Sequence, residues 1–155
     1  MGFALPAAIG ASLGSGKSQV VLVAGDGGFQ LNIQELETIR RLRIPLKMLV
    51  LNNGCHGMVR QFQESYFKSR YQSTLWGYSA PPFAAVANAY SISSRKVETI
   101  EELSEALVQL FAIPDEPFLL EVLIDTNTNA YPKMAFGRPI SQMEPLATPL
   151  DMEAT

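Results

Sequence analysis

Short apolar runs alternate along the chain with stretches in which apolar residues recur at helical spacing. The first run, Val-Val-Leu-Val-Ala at residues 20–24, is continuously apolar, which is typical of a strand covered on both faces of a sheet. The alternation predicts an α/β fold, a three-layer doubly wound parallel sheet with helices on both faces. The predicted strands are residues 20–24, 47–51, 93–97 and 118–124.

Helices are predicted where polar capping residues precede a stripe of apolar side chains. Asn32 and Glu35 form an Asn version of a capping box, and Thr99 and Glu102 form a second box. Each box is followed by apolar residues at helical spacing, whereas residues 64–80 show no clear period. Two further helices are predicted, one at residues 3–13 and one after the proline pair at residues 81–82. Residues 58–62 are predicted to form a short amphipathic segment.

The length of 155 residues suits a single α/β domain over residues 1–155. The chain leads straight into an apolar helix without an opening strand, so we expect an N-terminally truncated domain, a fragment of a longer protein. Residues 126–155 are expected to form an irregular C-terminal tail. This tail contains the prolines Pro132, Pro139, Pro145 and Pro149.

Composition and charge exclude several classes of function. With 15 acidic and 12 basic residues the net charge is −3, so neither nucleic acid nor a membrane is an expected partner. No apolar run approaches the roughly 20 residues of a transmembrane helix. Cys55 is the only cysteine, which rules out an internal disulfide and favours a reducing, cytoplasmic location. His56 is the only histidine, so a catalytic triad or a zinc site is not expected.

Polar turns follow the first two predicted strands, Gly-Asp-Gly-Gly at residues 25–28 and Asn-Asn-Gly at residues 52–54. Neighbouring parallel strands would bring both turns to one edge of the sheet, where ligands bind in such folds. Asp26 and Asn53 offer a carboxylate and an amide oxygen, which suit Mg²⁺ together with phosphate oxygens and water. The glycines after Asp26 let backbone N–H groups approach an anion, and the next helix points its N-terminus there. The pattern favours a diphosphate held through a divalent cation.

Simpler interpretations of individual signals stay open. Either turn alone is more often structural than functional. Gly16-Lys17-Ser18 is similar to the end of a phosphate-binding loop, but Ala11 stands where that loop needs its first glycine. Cys55 could be a reactive thiol or a small loop residue that lends its carbonyl. Four aromatic residues could line a substrate channel or simply pack: Tyr66, Tyr71, Trp76 and Tyr78.

The two turns together resemble a known family. Gly-Asp-Gly at residues 25–27, followed 25 residues after Gly27 by Asn52-Asn53, is similar to the thiamin-diphosphate (thiamine pyrophosphate) motif. Longer segments resemble the C-terminal cofactor domain of the acetohydroxyacid synthase (acetolactate synthase) group, over residues 1 to about 137. These segments are MGFALPAAIGA, VAGDGGFQLNIQELETI, LNNGCHGMVRQFQ and PFLLEVLID.

The resemblance implies that thiamin diphosphate and Mg²⁺ bind here. The metal ligands would be the side chains of Asp26 and Asn53 and the carbonyl of Cys55. The other cofactor-binding positions would be Met1 under the thiazolium, Gly25, Gly27 and Gly28 at the diphosphate, and His56, Gly57 and Met58 along the cofactor. No catalytic residue is assigned to this chain, because the glutamate that activates the cofactor belongs to a separate pyrimidine-binding domain of the same or a neighbouring subunit.

The resemblance further implies an enzyme that decarboxylates a 2-oxoacid such as pyruvate and transfers the carbanion to an acceptor. We expect the parent to be a homo-oligomer, FAD to bind only in the full-length parent if at all, and the isolated chain to be inactive. Phe62 and Ser91 depart from the family pattern, which has Trp and Gly at those positions. The alternative is a non-catalytic paralogue that uses the fold as an assembly or regulatory module.

Overall fold

A computed structural model describes residues 1–147, so Pro149 of the predicted tail lies outside the described residues. The described residues form two compact units, one made of residues 1–53 and 80–125 and the other of residues 54–79 and 126–147. Compact units of this kind can belong to one domain, so the single-domain assignment stays a prediction.

Helices and strands alternate through most of the described chain. In chain order they are α1 (Ala4–Gly14), β1 (Val20–Gly25), α2 (Asp26–Phe29), a 3₁₀ segment (Gln30–Glu35), α3 (Leu36–Leu42), β2 (Leu46–Asn52), α4 (Gly57–Tyr66), α5 (Phe83–Ala89), β3 (Ser93–Val97), α6 (Ile100–Phe111), β4 (Phe118–Leu123), β5 (Lys133–Met134) and β6 (Met143–Glu144). Helix α4 and strands β5 and β6 belong to the second unit, and the other elements belong to the first.

The first unit contains a four-stranded sheet in the order β1-β2-β4-β3, and every neighbouring pair is parallel. Side chains of α1, α3 and α5 pack with one set of strand residues, and those of α6 pack with the alternate set. Because successive strand residues point to opposite faces, helices cover both sides of the sheet. The predicted α/β fold with a parallel sheet flanked by helices is therefore confirmed.

Two apolar clusters form the core of this unit, one on each face of the sheet. Burying an aliphatic or aromatic side chain contributes about 1.5–3 kcal/mol, so the apolar strand runs favour this arrangement directly. The larger cluster includes Leu5, Leu22, Leu36, Ile39, Met48, Val50, Phe83 and Leu119. The smaller cluster consists of Val97, Ala106, Leu110 and Leu120, with Leu49 and Phe118 against it.

Strand β1 is not covered on both faces, so that prediction from residues 20–24 is wrong. Leu22 is buried against α1, but Val21 and Val23 are 51% and 55% exposed. The reason is that α6, the helix on their side of the sheet, packs on β3 and β4.

The predicted capping boxes also need correction. The side chain of Asn32 donates a 2.6 Å hydrogen bond to the carbonyl of Gly2. The backbone of Asn32 is non-helical, and α3 begins only at Leu36. At α6 the box forms in part, because the carboxylate of Glu102 accepts from the backbone N–H of Glu98 at 3.0 Å. Thr99 occupies the N-cap position there, but within the described chain its side chain makes no capping bond.

The second unit contains the start of the predicted irregular tail. There, β5 and β6 form a short antiparallel ladder in which Lys133 lies opposite Glu144. The two side chains also form an ion pair at 3.2 Å. None of the helices in residues 1–147 is long and apolar enough to cross a membrane.

Candidate functional site

The carboxyl ends of β1 and β2 are neighbours at one edge of the sheet. Gly25, the last residue of β1, lies opposite Leu51 of β2 in parallel register. Asp26 follows Gly25 directly, and Asn53 follows Leu51 by two residues. The predicted adjacency of these two strands is confirmed, and it brings a carboxylate and an amide to the same edge of the sheet.

Asp26 is the first residue of the single-turn helix α2, and Gly25 before it is extended, with φ −78° and ψ 159°. The sharp change from strand to helix keeps Asp26 at the strand tip, where it is only 2% exposed. A carboxylate held so far from solvent is costly unless charged or hydrogen-bonding partners compensate for the burial. Asp26 therefore has the position and the chemistry of a candidate cation ligand.

The N-terminal segment lies beside this turn. A Cβ added to Gly28 would come within 4.0 Å of the backbone nitrogen of Gly2. Gly2 itself has φ +80°, and a Cβ there would lie 3.1 Å from the side-chain nitrogen of Asn32. The glycines therefore permit close backbone approach at this turn. Met1, adjacent to Gly2, has an exposed side chain, and its predicted place under the thiazolium stays a prediction.

The tip of β2 is held by Glu121 of β4, which also accepts a hydrogen bond from α5. The side-chain amide of Asn52 donates to Oε1 of Glu121 at 2.8 Å, and the backbone N–H of Ala84 donates to Oε2 at 3.0 Å. The backbone N–H of Ile124 also donates to the carbonyl of Asn52 at 3.0 Å. Asn53 follows directly after this anchored residue and is partly buried.

Glu121 is not among the site residues predicted from sequence, although the sequence contains a signal for it. It is the only charged residue in the otherwise apolar strand β4, and it is 1% exposed. A charge at a position where strand alternation expects an apolar side chain is unusual in a core.

The remaining predicted site residues lie in the second unit. The thiol of Cys55 is buried and donates to the carbonyl of Thr126 at 3.6 Å, which fits the structural interpretation better than a reactive thiol. The Cys55 carbonyl accepts from the N–H of Gly57 at 2.9 Å. His56 precedes α4, its N–H donates to the carbonyl of Thr74 at 2.9 Å, and its ring packs edge-on to that of Tyr78 at 4.5 Å. The Met58 side chain is exposed.

Two polar residues of α4 anchor that helix within the second unit, and no local sequence pattern marks either of them. Arg60 is buried and donates to the carbonyls of Asn127 and Thr128, both at 3.2 Å. Gln61 exchanges two hydrogen bonds with the backbone of Ala130, at 3.0 and 3.1 Å. Both contacts span more than sixty residues of sequence, so only the folded chain reveals them.

Most of the aromatic residues between 62 and 78 pack against one another or nearby rings. Tyr66 contacts Phe62 and Phe136, and Tyr71 contacts Trp76. These contacts favour the packing interpretation for Tyr66 and Tyr71. Trp76 remains more than half exposed.

A mainly apolar cavity of about 220 Å³ lies at the opposite, amino-terminal end of the strands, and Lys47 is part of its lining. Its buried Lys47 donates to the carbonyls of Ile113 and Glu116 at 2.6 and 2.5 Å. Burial lowers the pKa of Lys47. Its hydrogen bonds to the two carbonyls hold the loop that follows α6 in place. This cavity is separate from the candidate cation site.

The donor set at the strand tips suits Mg²⁺ better than a softer metal. It consists of one carboxylate and one amide oxygen, both hard ligands, and Mg²⁺ is commonly bound through one or two carboxylates with phosphates and water. Within residues 1–147 no group of three or more His, Cys, Asp and Glu side chains is arranged to hold a metal ion. The residues present therefore fit a cation that also takes ligands from a bound diphosphate.

Comparison with known proteins identifies the family of this chain. Residues 1–122 match the family described as thiamine pyrophosphate enzyme, C-terminal TPP binding domain. The acetolactate synthase large subunit of Cyanidium caldarium is 36% identical over 143 residues, covering 92% of this chain and 24% of that protein. The acetolactate synthase isozyme 2 large subunit of Escherichia coli (strain K12) is 39% identical over 143 residues, 92% of this chain and 26% of that protein.

A solved structure gives the same result. The thiamine diphosphate-dependent 4-hydroxybenzoylformate decarboxylase of Rhodococcus jostii RHA1 superposes with a TM-score of 0.71 at 31% identity, over 83% of this chain and 24% of that one. The chain thus spans about a quarter of the length of these relatives. Since the family match covers most of its residues, the chain belongs to the thiamine pyrophosphate enzyme family, of which it carries the C-terminal TPP-binding domain.

Proposed function

We propose that this chain binds the diphosphate of thiamin diphosphate through Mg²⁺, as the cofactor domain of an acetolactate synthase-like enzyme. The observation that carries the proposal is the parallel pairing of Gly25 with Leu51, which sets buried Asp26 beside the strand that leads into Asn53. Family membership and the similarity to acetolactate synthase large subunits support it.

Each predicted residue has a role in this proposal. Asp26 and Asn53 supply a carboxylate and an amide oxygen to the cation. The Cys55 carbonyl is the third ligand, a role that rests on the family resemblance. Gly25, Gly27 and Gly28 leave room for the diphosphate, and His56, Gly57, Met58 and Met1 contact the rest of the cofactor.

When bound, thiamin diphosphate supplies the electron sink for a carbanion, and the protein supplies binding and orientation. The work of this chain is to anchor the diphosphate and so fix the reactive ring relative to the rest of the site. The substrate class we propose is a 2-oxoacid such as pyruvate, with transfer to an acceptor. The activating glutamate would come from the pyrimidine-binding domain of the same or a neighbouring subunit.

Isothermal titration calorimetry tests the proposal. Thiamin diphosphate should release heat on binding in the presence of Mg²⁺ and much less in the presence of EDTA. A chain that gives no Mg²⁺-dependent heat would contradict the proposal and would favour the non-catalytic assembly module. Pyruvate decarboxylation by the isolated chain should be undetectable, because the activating glutamate is proposed to lie elsewhere.

We also propose that the parent enzyme is a homo-oligomer. Val21 and Val23 expose apolar surface on the outermost strand, and such surface favours association. Sedimentation velocity of the chain should show self-association that weakens in V23K. A monomer that persists at the highest soluble concentration would oppose this part of the proposal.

A further inference from the structure

Glu121 lies at a position where the strand pattern expects an apolar side chain. In β4 it alternates with Leu120 and Val122, which face α6, so Glu121 faces the α5 side of the sheet together with Leu119. Its register partner on β2 is Val50, a member of the larger apolar cluster. A carboxylate buried here is costly unless its oxygens are bonded.

Both oxygens of Glu121 are in fact used, and they join three elements. Oε1 accepts from the side chain of Asn52 at the end of β2, and Oε2 accepts from the backbone N–H of Ala84 in the first turn of α5. Helix α5 has Pro82 at its N-cap position, which offers no side-chain oxygen. Glu121 therefore caps α5 from a neighbouring strand and ties that cap to the tip of β2.

The hydrogen bond between Asn52 and Glu121 lies next to the candidate cation site. Asn52 is anchored through its side chain by Glu121 and through its carbonyl by Ile124, and Asn53 is the next residue. We infer that Glu121 is a positioning residue that orients the Asn52-Asn53 tip, so that Asn53 presents its amide oxygen to Mg²⁺. This role rests on the proposed function. Glu121 affects the metal through Asn52 and Asn53 and makes no contact with the metal itself.

The glutamine variant is the sharpest probe of this role. E121Q keeps the volume of the side chain and one oxygen for Ala84, but it directs an N–H₂ group toward the N–H₂ group of Asn52. Removing a residue that orients a metal ligand commonly costs about 10- to 100-fold in metal affinity. We expect the Mg²⁺ concentration for half-maximal binding of thiamin diphosphate to rise by roughly tenfold or more. E116Q, the same chemical change in the exposed loop before β4, should leave it unchanged.

Nuclear magnetic resonance of the ligand-free chain supplies a readout that needs no cofactor. In E121Q the amide of Ala84 should keep its protection from hydrogen exchange, while the side-chain N–H₂ signals of Asn53 shift or broaden. Unchanged Asn53 signals, or an Mg²⁺ requirement within about twofold of wild type, would overturn the inference. If the wild-type chain shows no Mg²⁺-dependent binding, the proposed function fails, and the Asn53 signals alone then decide whether Glu121 positions this tip.

Discussion

Gly25 of β1 lies directly opposite Leu51 of β2, in parallel register. One strand then leads into Asp26 and the other into Asn53. Because both strands run in the same direction, the carboxylate and the amide leave the sheet at the same edge. A pairing between two apolar strands thus explains how polar residues 27 positions apart can serve one ligand.

Removing the charge of Asp26 should weaken the site more than any other single change. In D26N the cation loses the only carboxylate in the proposed ligand set, and with it a full negative charge in direct contact with the metal. We expect the Mg²⁺-dependent affinity for thiamin diphosphate to fall by roughly tenfold or more in calorimetry. D115N removes the same charge from an exposed loop residue and is the control. Equal binding by D26N and D115N would contradict the assignment of Asp26.

Strands β1, β2 and β4 could be predicted from sequence because each is a mainly apolar local run, whereas β3 is mostly polar. Strand β1 extends one residue beyond its predicted end, to Gly25, and β2 extends one residue at each end, to Leu46 and Asn52, whereas β3 coincides with its predicted range and β4 ends one residue early, at Leu123. The pair of turns at the candidate site could be predicted because each follows such a run directly. The apolar runs and the turns that follow them depend only on residues that are neighbours in the sequence.

The predictions that the structure contradicts share a physical cause. In each case, contacts with residues distant in the sequence override the local pattern. Asn32 stands where the sequence predicts a capping residue. Its side chain instead donates a hydrogen bond to the carbonyl of Gly2, thirty residues away. The exposure of Val21 depends on where α6 packs, which no local period determines. The role of Glu121 becomes visible only when Asn52 and Ala84 are brought to it by folding.

Ser91 should be replaceable by glycine with a gain in stability. It follows α5 with φ +57°, in the left-handed region, and the N–H groups of Ser91 and Ile92 bond to the carbonyls of Asn88 and Ala87 as in a Schellman motif. The left-handed conformation costs residues with a Cβ about 1 kcal/mol. S91G should therefore raise the free energy of unfolding by roughly 1 kcal/mol in urea denaturation.

The control for this gain is a glycine placed inside the same helix. Ala85 is exposed and helical, so A85G should lower the free energy of unfolding by about 1 kcal/mol. If both glycines destabilise the chain, the strain assigned to Ser91 is absent.

Glu102 should make the stability depend on pH in the acid range. Its hydrogen bond from the backbone N–H of Glu98, with a further one from Thr99, holds the pKa of the Glu102 carboxyl below its ordinary value of 4.5. The folded state therefore favours the charged form, and this stabilisation is present above 4.5 and lost as the pH falls through the folded pKa. E102Q should be less stable than wild type near neutral pH, and the difference should disappear in acid.

Denaturant titrations of both proteins at about pH 7 and about pH 3 measure that difference. E101Q removes a charge from the same helical turn and separates the specific bond from the general effect of the helix dipole. A difference between wild type and E102Q that stays constant over this pH range would refute the prediction.

Removing the hydroxyl of Tyr66 should destabilise the second unit. This buried hydroxyl accepts from the backbone N–H of Phe136 at 2.7 Å and donates to Glu144 at 3.4 Å. Y66F keeps the aromatic packing but removes both hydrogen bonds of this hydroxyl, which together contribute about 1–3 kcal/mol. We expect faster hydrogen exchange at the Phe136 amide and a loss of that size in the free energy of unfolding. Y131F is the matched control because Tyr131 is 49% exposed, and its effect should stay below about 0.5 kcal/mol. Equal losses in the two variants would show that the Tyr66 hydroxyl does not hold this segment.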